Sequence, residues 1–123
     1  VTDKVSMNGS FPQFNLLSNA IEFTNQNHRV ISQNLANVNT ENYQAVQLSF
    51  EQLLTQREKN ITADGSLPEF EPTLTPGLSA RSDGNNVDMD AEVGNLKKNT
   101  LIHQTLIQLI GAKFDTMKAA IRS

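Results

Sequence analysis

Two histidines are the residues of this chain best suited to acid–base or metal chemistry. His28 and His103 each lie on one of two long periodic segments, so pairing of those segments would bring the two rings towards each other. A metal site would also need Asp, Glu or Cys at ligand spacing, and neither histidine has such a neighbour. We interpret both as core histidines with a hydrogen-bond partner, with a pH-sensitive contact between the segments as the alternative.

The acidic stretch from Asp83 to Glu92 is a second candidate for a metal site. An EF-hand calcium loop needs Gly at its sixth position and an acidic residue at its twelfth. Counted from Asp83, these positions hold Asp88 and Gly94, so the pattern does not fit a calcium loop. We expect no metal site in this stretch.

The chain also lacks the residue patterns of common enzymes. It has no cysteine, which excludes disulfides, thiolate metal sites and cysteine nucleophiles. No motif supports a Ser-His-Asp arrangement, and no glycine pattern would cradle a phosphate. A peptidoglycan hydrolase would need paired carboxylates in a cleft, whereas Glu69 and Glu71 stand in a proline-rich stretch. We therefore expect neither catalysis nor a bound cofactor.

Charge and hydropathy exclude two further classes of protein. The formal net charge is −3, whereas proteins that bind nucleic acid usually present a basic face. No run approaches the roughly 18 apolar residues of a membrane-spanning helix. The first residues lack the basic start and apolar run of a Sec-type signal peptide, so work outside the cytoplasm would require another export route.

Apolar periodicity predicts a long helix over residues 13–38. Steps of three and four residues alternate, which is the heptad pattern of a coiled coil. Ser10 and Pro12 are start signals, and the stretch from Asn39 to Asn42 favours an end because Asn tolerates the left-handed conformation. The predicted stripe is Phe14, Leu17, Ile21, Thr24, His28, Ile31, Leu35 and Val38.

A second long helix is predicted over residues 88–122 by the same spacing. Asp88 is a suitable N-cap, and acidic residues at the start with basic residues towards the end suit the helix dipole. The predicted stripe is Met89, Val93, Leu96, Thr100, His103, Ile107, Ile110, Phe114, Met117 and Ile121. Additional apolar residues flank both stripes, so each apolar face is broader than a two-stranded coiled coil requires.

The middle of the chain, residues 39–87, has no sustained period. In Gln44 to Leu54, apolar and polar residues first alternate, and the apolar residues then take helical spacing. This pattern predicts an extended arm followed by a turn of helix. Arg57 to Asn86 holds Pro68, Pro72 and Pro76 and predicts a loop that forms a small hairpin or orders against a neighbour. The fold class is therefore mainly α: two long terminal helices packed as a coiled coil, with a short irregular or β middle region, in one domain over residues 1–123.

Two motifs carry a resemblance to a known family. The stretch from Asn34 to Tyr43 resembles the N-terminal signature of flagellar axial proteins, roughly Asn-(Ile/Leu)-Ala-Asn-x-(Asn/Asp)-Thr-Pro-Gly-Tyr. Glu41 and Asn42 replace the usual Pro-Gly, and Asn can adopt the conformation of that Gly. The stretch from Asp83 to Glu92 resembles the turn that opens the C-terminal helix of the proximal rod proteins. The chain is thus similar to the flagellar basal-body rod protein family, and its short length favours the proximal type.

The resemblance implies a structural role for both motifs and both stripes. The asparagines would cap the helix end and bind turn backbone, and Tyr43 would bury its ring while its hydroxyl finds a partner. The expected motif residues are Asn34, Asn37, Asn39, Thr40, Tyr43, Asp83, Gly84, Asn85, Asn86 and Asp88. The expected assembly and packing residues are Leu17, Ile21, Ile31, Leu35, Val93, Leu96, Ile107, Ile110, Phe114 and Met117.

The resemblance also implies partners and a location. Subunits of this family would polymerise into the rod, transmit torque and enclose the export channel, after passage through the flagellar type III export apparatus to the periplasmic rod. Expected neighbours are further copies of the chain, other rod proteins of the FlgC type, the adaptor FliE, the MS-ring and the export gate, with no nucleic acid. The alternative is a small helical adaptor or export chaperone that forms a soluble dimer in the cytoplasm.

Overall fold

Two long helices and a two-stranded sheet make up the described part of the chain. The computed structural model describes residues 2–52, 55 and 71–122, with side chains from residue 14 onwards. In chain order the elements are helix α1 (Thr2–Ala36), strand β1 (Val46–Gln47), strand β2 (Thr73–Leu74) and helix α2 (Met89–Arg122). The predicted mainly helical fold with a short β middle region is confirmed.

The two helices pack side by side and run antiparallel. Asn34 contacts Glu92, and farther along the pair Asn27 contacts Asn99. Near the far end, the rings of Phe14 and Phe114 lie 5.0 Å apart. Residue numbers that increase along α2 are therefore matched by residue numbers that decrease along α1, as in a helical hairpin.

The stripe of α2 that faces α1 differs from the predicted one at alternate positions. Glu92 and Asn99 are buried at 6% and 5% exposure, whereas Val93 and Ile107 are 37% and 50% exposed. The least exposed positions recur at steps of three and four and are Glu92, Leu96, Asn99, His103, Leu106, Ile110, Lys113 and Met117. The prediction was wrong at these alternate positions because the stripe was drawn through Val93 and Ile107, each one residue after the position that faces α1. Polar side chains with partners across the interface can occupy such places without an unsatisfied group.

Helix α1 begins earlier and ends earlier than predicted. It starts at Thr2 rather than at residue 13, and ends at Ala36 rather than at residue 38. Pro12 was taken as a start signal, but it stands inside the helix, although an interior proline removes one backbone hydrogen bond and crowds the carbonyl four residues before it. At the other end, Asn37, Asn39 and Thr40 enter a turn, in which the Thr40 amide donates to the Asn37 carbonyl at 3.0 Å.

The arm after α1 folds back and pairs with the segment that precedes α2. Strands β1 and β2 are antiparallel, with Val46 opposite Leu74 and Gln47 opposite Thr73. Among the described residues, the proline-rich segment therefore pairs with the arm. Phe50 begins a short helical stretch, and its ring meets that of Phe23 edge to face at 5.3 Å. The rest of the predicted helical turn, Leu53 and Leu54, lies outside the described residues, as do residues 56–70.

The small core lies where the arm meets the first turn of α2 and the end of α1. Its buried apolar side chains are Val30, Ile31, Ala45 and Val87. None of the helices in the described ranges has a stretch long and apolar enough to cross a membrane.

Candidate functional site: an asparagine junction between the helices

Asn34 stands at the centre of the junction and uses its full hydrogen-bonding capacity. Its side chain is 1% exposed. The Nδ2 group donates to the Val46 carbonyl at 2.8 Å and to Glu92 Oε1 at 3.1 Å. The Oδ1 atom accepts from the Tyr43 hydroxyl at 2.9 Å and from the Val46 amide at 3.1 Å. One side chain therefore ties together α1, the turn after it, β1 and α2. We call Asn34, Tyr43, Asn85, Asn86 and Glu92 the asparagine junction.

Asn85, which lies just before α2 in the chain, forms hydrogen bonds with backbone carbonyls of the turn after α1. Its Nδ2 group donates to the carbonyls of Asn37 and Thr40, both at 2.8 Å. Both carbonyls belong to the turn that follows α1, so Asn85 holds that turn in place. Its Oδ1 atom accepts from the Val87 amide at 2.8 Å, and the side chain is fully buried. Asn85 thus fixes the start of α2 against the end of α1.

Asn86 binds the arm beside it. Its Oδ1 atom accepts from the Ala45 amide at 2.6 Å, and its Nδ2 group donates to Gln44 Oε1 at 2.8 Å. The Asn86 amide donates to the Tyr43 carbonyl at 3.2 Å. The two asparagines of the second motif therefore bind two different parts of the first motif.

The two motif turns approach each other most closely at Asn42 and Gly84. Asn42 has φ 60° and takes the left-handed conformation that the usual Gly of the signature would supply. Gly84 has φ +81°, and a Cβ atom there would lie 2.2 Å from Asn42 Oδ1. The Asn42 amide donates to the Asp83 carbonyl at 2.9 Å. The backbone conformation favours glycine here, and a Cβ atom would also force the exposed Asn42 side chain to move.

Two titratable groups of the junction have raised pKa values. Burial raises the pKa of Glu92, the nearby Asp88 carboxylate adds to the rise, and the hydrogen bond from Asn34 opposes it. Burial also raises the pKa of the Tyr43 hydroxyl, and a hydrogen bond with Gln33 opposes that rise. Tyr43 is thus neutral at physiological pH and acts as a hydrogen-bond donor. The Glu92 carboxyl group is buried and accepts from a side-chain amide of the other helix.

A second set of polar contacts continues along the helix pair. Asn27 Nδ2 donates to Asn99 Oδ1 at 2.9 Å, and Asn99 Nδ2 donates to the Thr24 carbonyl at 2.8 Å. The Thr24 hydroxyl donates to the Ile21 carbonyl at 2.7 Å and lies 2.7 Å from His103 Nδ1. Because a hydroxyl carries one proton, His103 must donate through Nδ1. Polar contacts therefore recur along the interface and fix the register of the two helices.

The candidate catalytic and metal residues do not come together. His103 pairs with Thr24, one helical turn before the predicted partner His28, which is exposed. No group of three or more His, Cys, Asp or Glu residues in the described ranges could hold a metal ion. Glu71 is exposed, and Glu69 lies outside the described residues. His103 is half-buried and has a hydrogen-bond partner, as interpreted, whereas the interpretation of His28 as a core histidine was wrong because its side chain is exposed.

The structure brings most of the predicted motif residues into one place. Asp83 Oδ1 accepts from the Asn85 amide at 3.0 Å, and Asp88 Oδ1 accepts from the Ala91 amide at 3.2 Å as the N-cap of α2. Asn37 and Thr40 bind each other at the exposed end of α1, and Asn39 is exposed. The sequence analysis missed the roles of Glu92, Asn27 and Asn99. The seven-residue spacing of Glu92 from Asn99, and of Asn27 from Asn34, was a visible signal, but the predicted stripes included no Asn or Glu.

The predicted packing residues fall into three groups. Ile31 is buried. Six are half-buried along the helix pair: Leu17, Ile21, Leu35, Leu96, Ile110 and Met117. Val93, Ile107 and Phe114 are exposed, although Phe114 also contacts Phe14. Helix α1 therefore leaves a large part of each of these three side chains uncovered.

Comparison with known proteins gives a consistent set of relatives. No family model matches the chain. The flagellar basal body rod protein FlgB of Bacillus subtilis is 31% identical over 115 residues, covering 85% of this chain and 89% of that protein. The FlgB protein of Aquifex aeolicus is 29% identical over 91% of this chain and 94% of its own length. The FlgB protein of Borrelia hermsii is 29% identical over 76% of this chain and 83% of its own. The resemblance expected from the two motifs is confirmed, and the chain belongs to the FlgB family of flagellar basal body rod proteins.

Proposed function

We propose that this rod protein is a polymerising subunit of the proximal rod, which assembles through its two terminal helices, transmits torque and helps to enclose the export channel. Residues 1–123 act as one rod-type domain in this proposal. The family accounts for a structural role in the basal-body rod. The asparagine junction would hold the helices at a fixed angle and register while the rod carries load.

The observation that supports polymerisation is the exposed apolar surface of α2. Val93, Ile107 and Phe114 are 37%, 50% and 53% exposed, and Ile121 is 82% exposed. Covering apolar surface is worth about 25 cal/mol per Å², so these side chains favour association with further helices. A stable adaptor or chaperone would instead cover such a surface in a soluble dimer.

The proposed partners and location follow from the family. The partners are further copies of the chain, rod proteins of the FlgC type, the adaptor FliE, the MS-ring and the export gate. The subunit would reach the periplasmic rod through the flagellar type III export apparatus. The half-buried packing residues would hold the helix pair together, and the exposed ones would contact neighbouring subunits.

Genetic replacement combined with electron microscopy of isolated basal bodies tests the proposal. Deletion of the gene should leave ring structures without a rod and cells without motility. The wild-type gene should restore both, and so should Gln108→Asp, because Gln108 is an exposed polar neighbour. Ile107→Asp should not restore them, because it places a charge on the apolar surface.

The purified Ile107→Asp protein must keep its helical circular dichroism, which separates an assembly defect from unfolding. Normal rods after deletion of the gene would overturn the proposal and favour the adaptor. Full rescue by Ile107→Asp would show that this surface is not needed for assembly.

A further inference from the structure

A groove on one side of the helix pair is bounded by three elements. It has a volume of about 570 Å³. Phe23 of α1, Ile102 and Leu106 of α2 and Phe50 of the arm form its apolar walls. The Thr75 hydroxyl lines it, is buried and has no hydrogen-bond partner among the described residues. The groove is thus a concave apolar surface that also offers a polar contact.

A convex apolar ridge lies on the other side of the same pair. Val93, Ile107, Phe114 and Ile121 are separated by multiples of seven residues and are all exposed. With 3.6 residues per turn, Ile107 is rotated by about 140° from Ile102 around the axis of α2. The stripe facing α1 passes between these two directions, so the groove and the ridge flank the helix pair on opposite sides.

Charge favours a particular placement of one surface against the other. The first turn of α2, next to the groove, carries Asp88, Asp90 and Glu92, and Lys97 and Lys98 follow it; Glu92 and Lys98 are the charged residues that line the groove. The end with Phe114 and Ile121 carries basic residues, opposed by Asp115. The basic residues of that end are Lys113, Lys118 and Arg122. A neighbouring copy that offers the basic end of its ridge to the groove would bring Lys118 and Arg122 towards the acidic first turn of α2.

We propose that the groove of one copy receives the ridge of a second copy, at its Phe114–Ile121 end. The inference rests on the proposed polymerising role and adds which two surfaces meet. The two surfaces differ and lie on opposite flanks. A copy that is bound through its ridge therefore still has an unoccupied groove, and a copy bound through its groove still has an unoccupied ridge. Contacts of this heterologous kind extend into open helical assemblies unless a rotation closes them.

Cysteine cross-linking between two variants tests the contact, since the natural chain has no cysteine. One variant carries Asn95→Cys at the groove, and the other carries Ile121→Cys on the ridge. Oxidation of a concentrated mixture should give a disulfide between the two variants as the main product. The matched control replaces Ile121→Cys by Gln108→Cys, which faces away from both surfaces, and should give at least several-fold less.

Sedimentation of the same samples keeps the inference separate from the proposed function. Oligomers that form without excess cross-linking over the Gln108→Cys control would overturn the contact and leave the polymerising role standing. A dominant disulfide between two Ile121→Cys copies would also overturn it, since ridge would then meet ridge. Assembly that appears only after another rod protein is added would assign the groove to that protein rather than to a second copy.

Discussion

The side-chain amide of Asn34 pairs with the backbone of Val46 as a neighbouring strand would. Its Nδ2 group donates to the Val46 carbonyl at 2.8 Å, and its Oδ1 atom accepts from the Val46 amide at 3.1 Å. Strand β1 is thereby bonded to β2 on one edge and to a helix side chain on the other. The two hydrogen bonds from Asn34 cover the outer edge of β1, which would otherwise offer unpaired backbone groups to another chain.

Asn34→Ala should be one of the most destabilising substitutions in the chain. It removes the partners of the Val46 backbone, the Tyr43 hydroxyl and the Glu92 carboxylate at a site that is 1% exposed. We expect a loss of about 2–4 kcal/mol, because each buried group left unpaired costs about 1–3 kcal/mol and neighbouring losses do not add fully. Urea unfolding of dilute protein, followed by circular dichroism, measures the loss.

Asn37→Ala is the matched control for Asn34→Ala. Its side chain makes only local bonds, to the Gln33 carbonyl and the Thr40 hydroxyl, at a more exposed site. It should cost no more than about 1 kcal/mol. Equal losses for the two variants would show that the junction is not the stabilising centre of the fold.

Alanine substitutions at Gly84 and Gly77 test the contact between the two motif turns, because both glycines have positive φ but only Gly84 lies against Asn42. Gly84→Ala should destabilise the fold by about 2–4 kcal/mol, because it combines a left-handed φ of +81° with a Cβ atom 2.2 Å from Asn42 Oδ1. Gly77→Ala meets the same conformational cost at φ +79° but open space, so it should lose about 1 kcal/mol. Thermal unfolding ranks the two, and an equal effect would show that Asn42 moves aside freely.

The sequence predicted both helices, apart from the first eleven residues of α1, but not the rotation of one helix relative to the other. Heptad spacing predicted both helices, and Asp88 as N-cap placed the start of α2 within one residue. Spacing could not show that Glu92 and Asn99 face α1. Their burial depends on hydrogen-bond partners on α1 that lie about 60 to 70 residues away in the chain. The same limit applies to Asn85, whose position in a motif signalled importance but not that it binds the turn after α1.

The Asn27–Asn99 contact should contribute more to register than to stability. Asn99→Leu alone leaves Asn27 without its partner and should cost about 1–2 kcal/mol. The double variant Asn27→Leu/Asn99→Leu should lose less than the sum of the single losses, since two apolar residues can pack against each other. A double-mutant cycle in urea measures the coupling. Strictly additive losses would mean that the two amides do not act as a pair.

Glu92 predicts an unusual dependence of stability on pH. Its pKa in the folded protein is raised above the ordinary 4.5, chiefly by burial, so the folded state holds this proton more tightly than the unfolded chain does. The contribution of Glu92 to the free energy of unfolding should therefore increase as pH falls through its folded pKa, and it should be complete below about 4.5. Glu92→Gln keeps an oxygen to accept from Asn34 and removes the buried charge. It should raise stability at pH 7, and the advantage should shrink as pH approaches 5.

Glu92→Leu should instead lower stability at both pH values, because it leaves Asn34 Nδ2 with one partner fewer. Urea unfolding of the three proteins at pH 5 and pH 7 decides the point, and a Glu92→Gln protein less stable than wild type at pH 7 would show that the junction needs the charge itself.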